Sequence, residues 1–156
     1  MILRIDHIGV VARSYQEATD HFLGVLGLTL DRERIPDPHG YHMVRENALI
    51  HFIRPGAGET MIELLLPQDE VTGMGRWLAR RGPSVHHICY RVDDVDTEAD
   101  ELVAKGLNRI DMGDAHVAFF YPKSTMGLLT ELVDDRTLDE LRVSAAFDAR
   151  NRIENG

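Results

Sequence analysis

Three things are scarce in this chain of 156 residues: cysteine, unbroken apolar runs and clustered positive charge. The single cysteine, Cys89, excludes an internal disulfide and any zinc site built on several thiolates, and it fits a reducing compartment. No run approaches the roughly 20 apolar residues of a membrane-spanning helix. The apolar start of the chain is interrupted by Arg4 and Asp6, so neither a span nor a secretory leader is expected. Asp and Glu (26) outnumber Lys and Arg (17), giving a net charge of −9. Such a charge repels nucleic acid and anionic membranes, and apart from Arg76, Arg80 and Arg81 the basic residues are scattered. The expectation is a cytoplasmic protein with no nucleic-acid and no membrane partner, long enough to bury a core of its own.

What the chain does have is an internal repeat. "DHIGVVARSYQEATDHFLGVLG" from Asp6 lies over "HHICYRVDDVDTEADELVAKG" from His86, and "HFIRPGAGETMIELL" from His51 lies over "AFFYPKSTMGLLTEL" from Ala118. His7 falls on His87, Phe52 on Phe119, Pro55 on Pro122 and, after a one-residue gap, Glu63 on Glu131.

Local signals predict a β-α-β-β-β unit in each half. Ser14 with Glu17 forms a capping box for a helix with Ala18, Phe22, Val25 and Leu26 at helical spacing and Gly27 at its end. Asp94 or Asp96 starts its counterpart, which carries Ala99, Leu102 and Val103 and stops at Gly106. Short strands follow around Leu28–Glu33 and Asn108–Met112, Ala48–Arg54 and His116–Tyr121, and Thr60–Leu66 and Leu128–Val133. The expected organisation is a first module over 1–68, a connecting helix and linker over 69–84 with the helix from Glu70 to Arg81, a second module over 85–134, and a terminal helix from Thr137 to Arg150 within 135–156. The fold class is α+β, two paired βαβββ modules forming a curved sheet around a metal-binding cavity. The interval from His7 to Pro55 exceeds that from His87 to Pro122 by about 13 residues, which places an added loop or hairpin within "DRERIPDPHGYHMVREN", poised to cover the site.

Two histidines and two glutamates in matching places meet if the two halves curve around one cavity. Such a set suits Mn²⁺, Co²⁺, Ni²⁺, Zn²⁺ or Fe²⁺, and it leaves an octahedral ion two open positions with which to chelate two oxygens and stabilise an enolate. His86 has Asp6 as its counterpart, and strand alternation sends it to the face opposite His87, so His87 is the expected ligand and His86 a supporting or surface residue.

These residues resemble the vicinal oxygen chelate superfamily, the paired βαβββ metalloenzymes that include glyoxalase I, methylmalonyl-CoA epimerase and extradiol dioxygenases. The likeness runs from about Arg4 to Val133. It is greatest to the methylmalonyl-CoA epimerase branch, through "IDHIGVV", "MIELLLP", "GRWLARRGPSVHHICYRVDDVD" and "YPKSTMGLLTELV". The resemblance implies His7, Glu63, His87 and Glu131 as ligands of a divalent metal, an acyl-CoA substrate, a homodimer, and epimerisation at the α-carbon of a methylmalonyl-CoA-type thioester through a metal-stabilised enolate. Glu131 would double as one proton-transfer group. The other would come from the third strand or the enlarged loop, with His51 the first choice and Glu46 or His42 the alternatives. Glyoxalase I is the weaker match, because the positions where those enzymes hold glutathione with arginine and asparagine are Val11 and Pro67 here. A non-catalytic ligand-sequestering protein of the same fold is the other alternative.

Overall fold

The computed structural model describes residues 1–113 and 115–141. A single sheet runs through both halves. In the first half, β1 (Ile2–Val11) leads to α1 (Tyr15–Thr19), which continues into a π-helical turn over Asp20–Val25; then come β2 (Thr29–Asp31), β3 (Tyr41–Met43), β4 (Ala48–Arg54) and β5 (Met61–Pro67). After α2 (Gly73–Arg81), the second half runs β6 (Ser84–Val92), α3 (Val95–Ala104), β7 (Arg109–Ile110), β8 (Ala118–Phe120) and β9 (Leu129–Val133). The strand order is β2-β4-β5-β1-β6-β9-β8-β7, with β3 also paired to β4. The 13-residue excess is therefore partly an added edge strand.

The sheet's register carries the repeat into space. β1 pairs parallel with β5 and β6 parallel with β9, while β1 and β6 meet antiparallel at the centre. Ile8 pairs with Ile88, His7 with Cys89 and Gly9 with His87, so a pseudo-twofold passes between the two isoleucines. On one side Glu63 stands beside Gly9 and Phe52 beside Glu63; on the other Glu131 stands beside Cys89 and Phe119 beside Glu131.

Helices cover the sheet unequally. Ala18 of α1 and Phe22 of the π-helical turn pack on the outer face of the first half against Ile53, Leu64 and Leu66, and α3 packs Val95 and Ala99 on the second half against Ala118, Phe120 and Leu132. The concave face of the first half has its own cluster of Val11, Ile35, Ile50, Phe52, Met61 and Leu65, covered by Met74, Trp77 and Leu78 of α2 and by Leu141. β4 and β5 are thus buried on both faces, and each buried Leu, Ile or Phe contributes about 1.5–3 kcal/mol.

The caps follow local chemistry. Ser14 Oγ accepts from the Glu17 N–H at 3.1 Å, and Asp94, not Asp96, caps α3 by accepting from Thr97 N–H at 2.8 Å. α2 begins three residues later than its apolar spacing suggests. Asp69 bonds the N–H groups of Val71 and Thr72, Thr72 caps the helix, and a Cβ on Gly75 would lie 2.0 Å from the Asp69 carbonyl oxygen. The glycine expected to weaken the first turn is what lets that turn close. The last helix also starts elsewhere: residues 135–141 are helical with Asp134 as the cap, its carboxylate accepting from the N–H groups of Arg136 and Thr137 while Thr137 Oγ1 accepts from Asp134 N–H. Thr137 closes that box rather than opening it, and the remainder of the expected helix lies outside the described residues. No helix among the described residues is long and apolar enough to cross a membrane.

Candidate metal centre

Four strands deliver four donors to one point. His7 (β1), Glu63 (β5), His87 (β6) and Glu131 (β9) are all buried, and their ligand atoms lie within 4.8 Å of one another. His87 Nε2 stands 3.0 Å from Glu131 Oε2 and 3.2 Å from Glu63 Oε2, and His7 Nε2 stands 3.2 and 3.4 Å from the same two oxygens. The two Nε2 atoms are 3.2 Å apart. A glycine at position 9 is essential to this approach, since a Cβ there would sit 2.2 Å from the His87 ring.

Strand alternation alone would turn the residue before each histidine away. Instead a β-bulge falls at that place in both strands: the β1·β6 register slips between Ile5 and His7, and again opposite His86. Asp6 and His86 are the extra residues, and each swings onto the ring it precedes. Asp6 Oδ1 lies 2.9 Å from His7 Nδ1, and His86 Nδ1 lies 3.0 Å from His87 Nδ1. Both histidines are thereby left with Nε2 facing the cluster. Behind Asp6 stands Arg34, and behind His86 stands Trp77, whose ring meets it edge-on at 4.9 Å and donates from Nε1 to Ser84 Oγ.

Residues 6–120 match the glyoxalase/bleomycin resistance protein/dioxygenase superfamily. The chain belongs to that superfamily. It is 31% identical over 137 residues to the mitochondrial methylmalonyl-CoA epimerase of Dictyostelium discoideum, covering 83% of this chain and 76% of that one. To the ethylmalonyl-CoA/methylmalonyl-CoA epimerase of Cereibacter sphaeroides it is 29% identical over 140 residues, covering 85% and 98%. A variant of Streptomyces coelicolor methylmalonyl-CoA epimerase in complex with 2-nitronate-propionyl-CoA superposes with a TM-score of 0.72 at 26% identity, covering 86% of this chain and 98% of that one.

The chemistry of this superfamily member's donor set fits a divalent ion. Two buried carboxylates this close repel one another by about 4 kcal/mol at an effective dielectric of 20, so the cluster demands positive charge. In the ion-free protein the histidines supply it. Burial opposes a charge on His87, but the hydrogen bond and charge of Glu131, and then those of Glu63, outweigh it and lift its pKa to about 9. For His7 burial is likewise outweighed, by the Cys89 sulfur, Glu63 and Asp6. Both glutamates are pushed down despite burial, by His7 and His87. Two imidazole nitrogens and two carboxylate oxygens, without thiolate, suit a six-coordinate ion with open positions.

His51 is not brought to this cluster. In β4 it is Phe52 that pairs with Glu63, so His51 points to the opposite face, with its ring 4.7 Å from that of Tyr15. There burial and then Arg32 lower its pKa to about 4, which keeps it neutral. His42 pairs with Leu49 and bonds Asn47 at 2.9 Å. Glu46, in the 3₁₀ turn over Val44–Glu46, reaches the start of α2 and accepts from the Met74 N–H at 2.8 Å, and the Met74 side chain packs in the concave-face cluster. The residues that sequence reasoning missed are Asp6 and Arg34. The signal for Asp6 was its alignment with His86; Arg34 has no counterpart in the repeat.

Proposed function

We propose that this protein is a metal-dependent epimerase of a methylmalonyl-CoA-type thioester. The observation that carries the reading is the convergence of His7, Glu63, His87 and Glu131 in one buried cluster, on a fold whose relatives are named for that activity. A divalent ion held by these four would bind the thioester and carboxylate oxygens of the substrate together and stabilise negative charge on them. The remaining work falls to the chain itself. Glu131, buried in the cluster with Oε2 3.0 Å from His87 Nε2 and 3.2 Å from His7 Nε2, is the proton-transfer group on one side of the α-carbon. Delivery from the opposite side requires a second group. His51 and His42 lie on the wrong side of β4, so we assign that role to Glu46, at the edge of the concave cluster. The apolar wall of Val11, Ile50, Phe52 and Met74 excludes water from the planar intermediate. The same reading carries an acyl-CoA ligand and a homodimer.

The test is α-proton exchange. Metal-loaded protein incubated with a single methylmalonyl-CoA enantiomer in D₂O should both exchange and epimerise it. Glu46→Gln should retain part of the exchange and lose epimerisation, while His7→Ala and His87→Ala should lose both, together with bound metal measured after desalting. Absence of exchange by the wild type with any malonyl-type thioester ends the epimerase reading, and undiminished metal in both histidine variants ends the ligand assignment.

A further inference from the structure

The two histidines are held by unlike partners, and the difference traces to one residue of the segment that only the first half possesses. Asp31, at the end of β2, accepts from the N–H groups of Glu33 and Arg34, each at 3.3 Å, and from Arg54 Nη2 at 3.0 Å. This fixes a tight turn, and Ile35, 1% exposed, anchors its far side in the concave-face cluster. The turn directs Arg34 inward. Its buried guanidinium lies 5.0 Å over the Phe52 ring and closes on Asp6 with both amino groups, Nη1 to Oδ1 at 2.7 Å and Nη2 to Oδ2 at 3.3 Å. Asp6 Oδ1 is also the atom that holds His7 Nδ1, and Phe52 meets the His7 ring edge-on at 5.5 Å. Arg34 thus touches no donor atom of the cluster, yet it grips both the hydrogen-bond partner and the aromatic wall on which His7 rests.

Neutralising Asp6 does not require Arg34. Arg4 and Arg91 approach Asp6 Oδ2 at 3.5 and 3.7 Å, while each also pairs with a carboxylate of its own, Glu59 and Asp135. Of these three arginines only Arg34 forms a two-point fork that includes Oδ1, and a fork fixes orientation where a single charge does not. The second half offers nothing comparable among the described residues: His87 leans on the neutral ring of His86.

We propose that Arg34 is a positioning residue for the first-half ligand, holding the His7 imidazole, through Asp6 and Phe52, with Nδ1 protonated and Nε2 aimed into the cluster. The proposal rests on the metal reading above, and its test separates the two. Metal-free protein is titrated with Co²⁺ against a competing chelator, and the Zn²⁺-loaded form is examined by proton NMR for its imidazole N–H resonances. Arg34→Lys keeps the charge and loses the fork; it should weaken Co²⁺ binding by about tenfold or more. It should also open the His7 Nδ1–H to rapid exchange with water and leave that of His87 protected. Arg34→Met should do the same to a greater degree, and if it does not fold the lysine variant decides. Wild-type protein that binds Co²⁺ alongside a lysine variant with unchanged affinity and a still-protected His7 N–H overturns the proposal. Wild-type protein that takes up no Co²⁺ removes the metal reading and this proposal with it.

Discussion

The two halves present the same pair of donors in the same register but support them by different physics. In the first half a buried carboxylate backs the histidine, held by a guanidinium from an added segment, so His7 rests on Asp6 and Arg34, whose backbone N–H is held in turn by Asp31, itself paired with Arg54. In the second half a neutral imidazole backs His87, and behind it come Trp77 and then Arg81 stacked on the indole at 3.9 Å. A shared backbone pattern therefore fixes where the two histidines are, while the electronic character of each is left to the residue that the bulge inserts. A carboxylate-backed imidazole is the stronger donor. The difference teaches that a duplicated scaffold can hold an asymmetric centre without breaking its register.

The sharpest way to break the comparison is at the two inserted residues. Asp6→Asn removes the charge that Arg34 is buried against, and an orphaned buried partner costs about 3–5 kcal/mol. His86→Gln removes one hydrogen bond from the His87 ring, at about 1.5–3 kcal/mol. Urea unfolding of the metal-free variants measures both, and equal losses would show that the halves are supported alike. A smaller effect is read from pH. The folded pKa of His87, about 9, lies above its ordinary 6.5, so the stability it contributes is complete below pH 6.5 and is lost as pH rises through 9. That contribution is roughly 3 kcal/mol at most. Metal-free wild type should lose stability across this window and His87→Gln should lose much less, with Zn²⁺ flattening the wild-type slope because the ion takes the place of the protons. The smallest effect concerns the two residues related by the pseudo-twofold, Gly9 and Cys89. Gly9→Ala drives a methyl into the His87 ring and should cost about 1–3 kcal/mol, together with metal affinity. Cys89→Ala deletes a buried sulfur beside His7 without adding bulk and should cost about 1 kcal/mol. Matching thermal melts for the two variants would mean that the His87 ring moves aside without strain.

The meeting of all four side chains of the cluster was legible in the sequence, because His7 with His87 and Glu63 with Glu131 repeat at equivalent places and a repeat of structure carries them together. What was not legible is physical in each case. The bulges at Asp6 and His86 involve neither glycine nor proline, so nothing local announces that alternation fails there. For His51, polarity gave no warning: β4 is buried on both faces, by α1 and by α2, and its sequence "ALIHFIR" hides which side is which. The matched pair Phe52 and Phe119 did contain the answer, since both stand beside a glutamate of the cluster and their neighbours must point away. Arg34 could not be found by comparing the halves, because the segment that carries it exists only once. At the chain's end Thr137 and Glu140 mimicked a start signal, and the stronger cap, Asp134, lay one turn earlier.

The donor set has one further consequence, for the order in which the molecule comes together. Its members are separated by as many as 124 positions along the chain, and no two of them lie within the same strand. Neither half can assemble the cluster alone. Until β1 and β6 zip along the Ile8–Ile88 axis, Glu63 and Glu131 have no histidine to share and are cheaper to leave in water. Long-range pairings of this kind form after local ones, so the cluster is a late arrival on the folding route. Its completion reports that the two halves have found each other in the correct register.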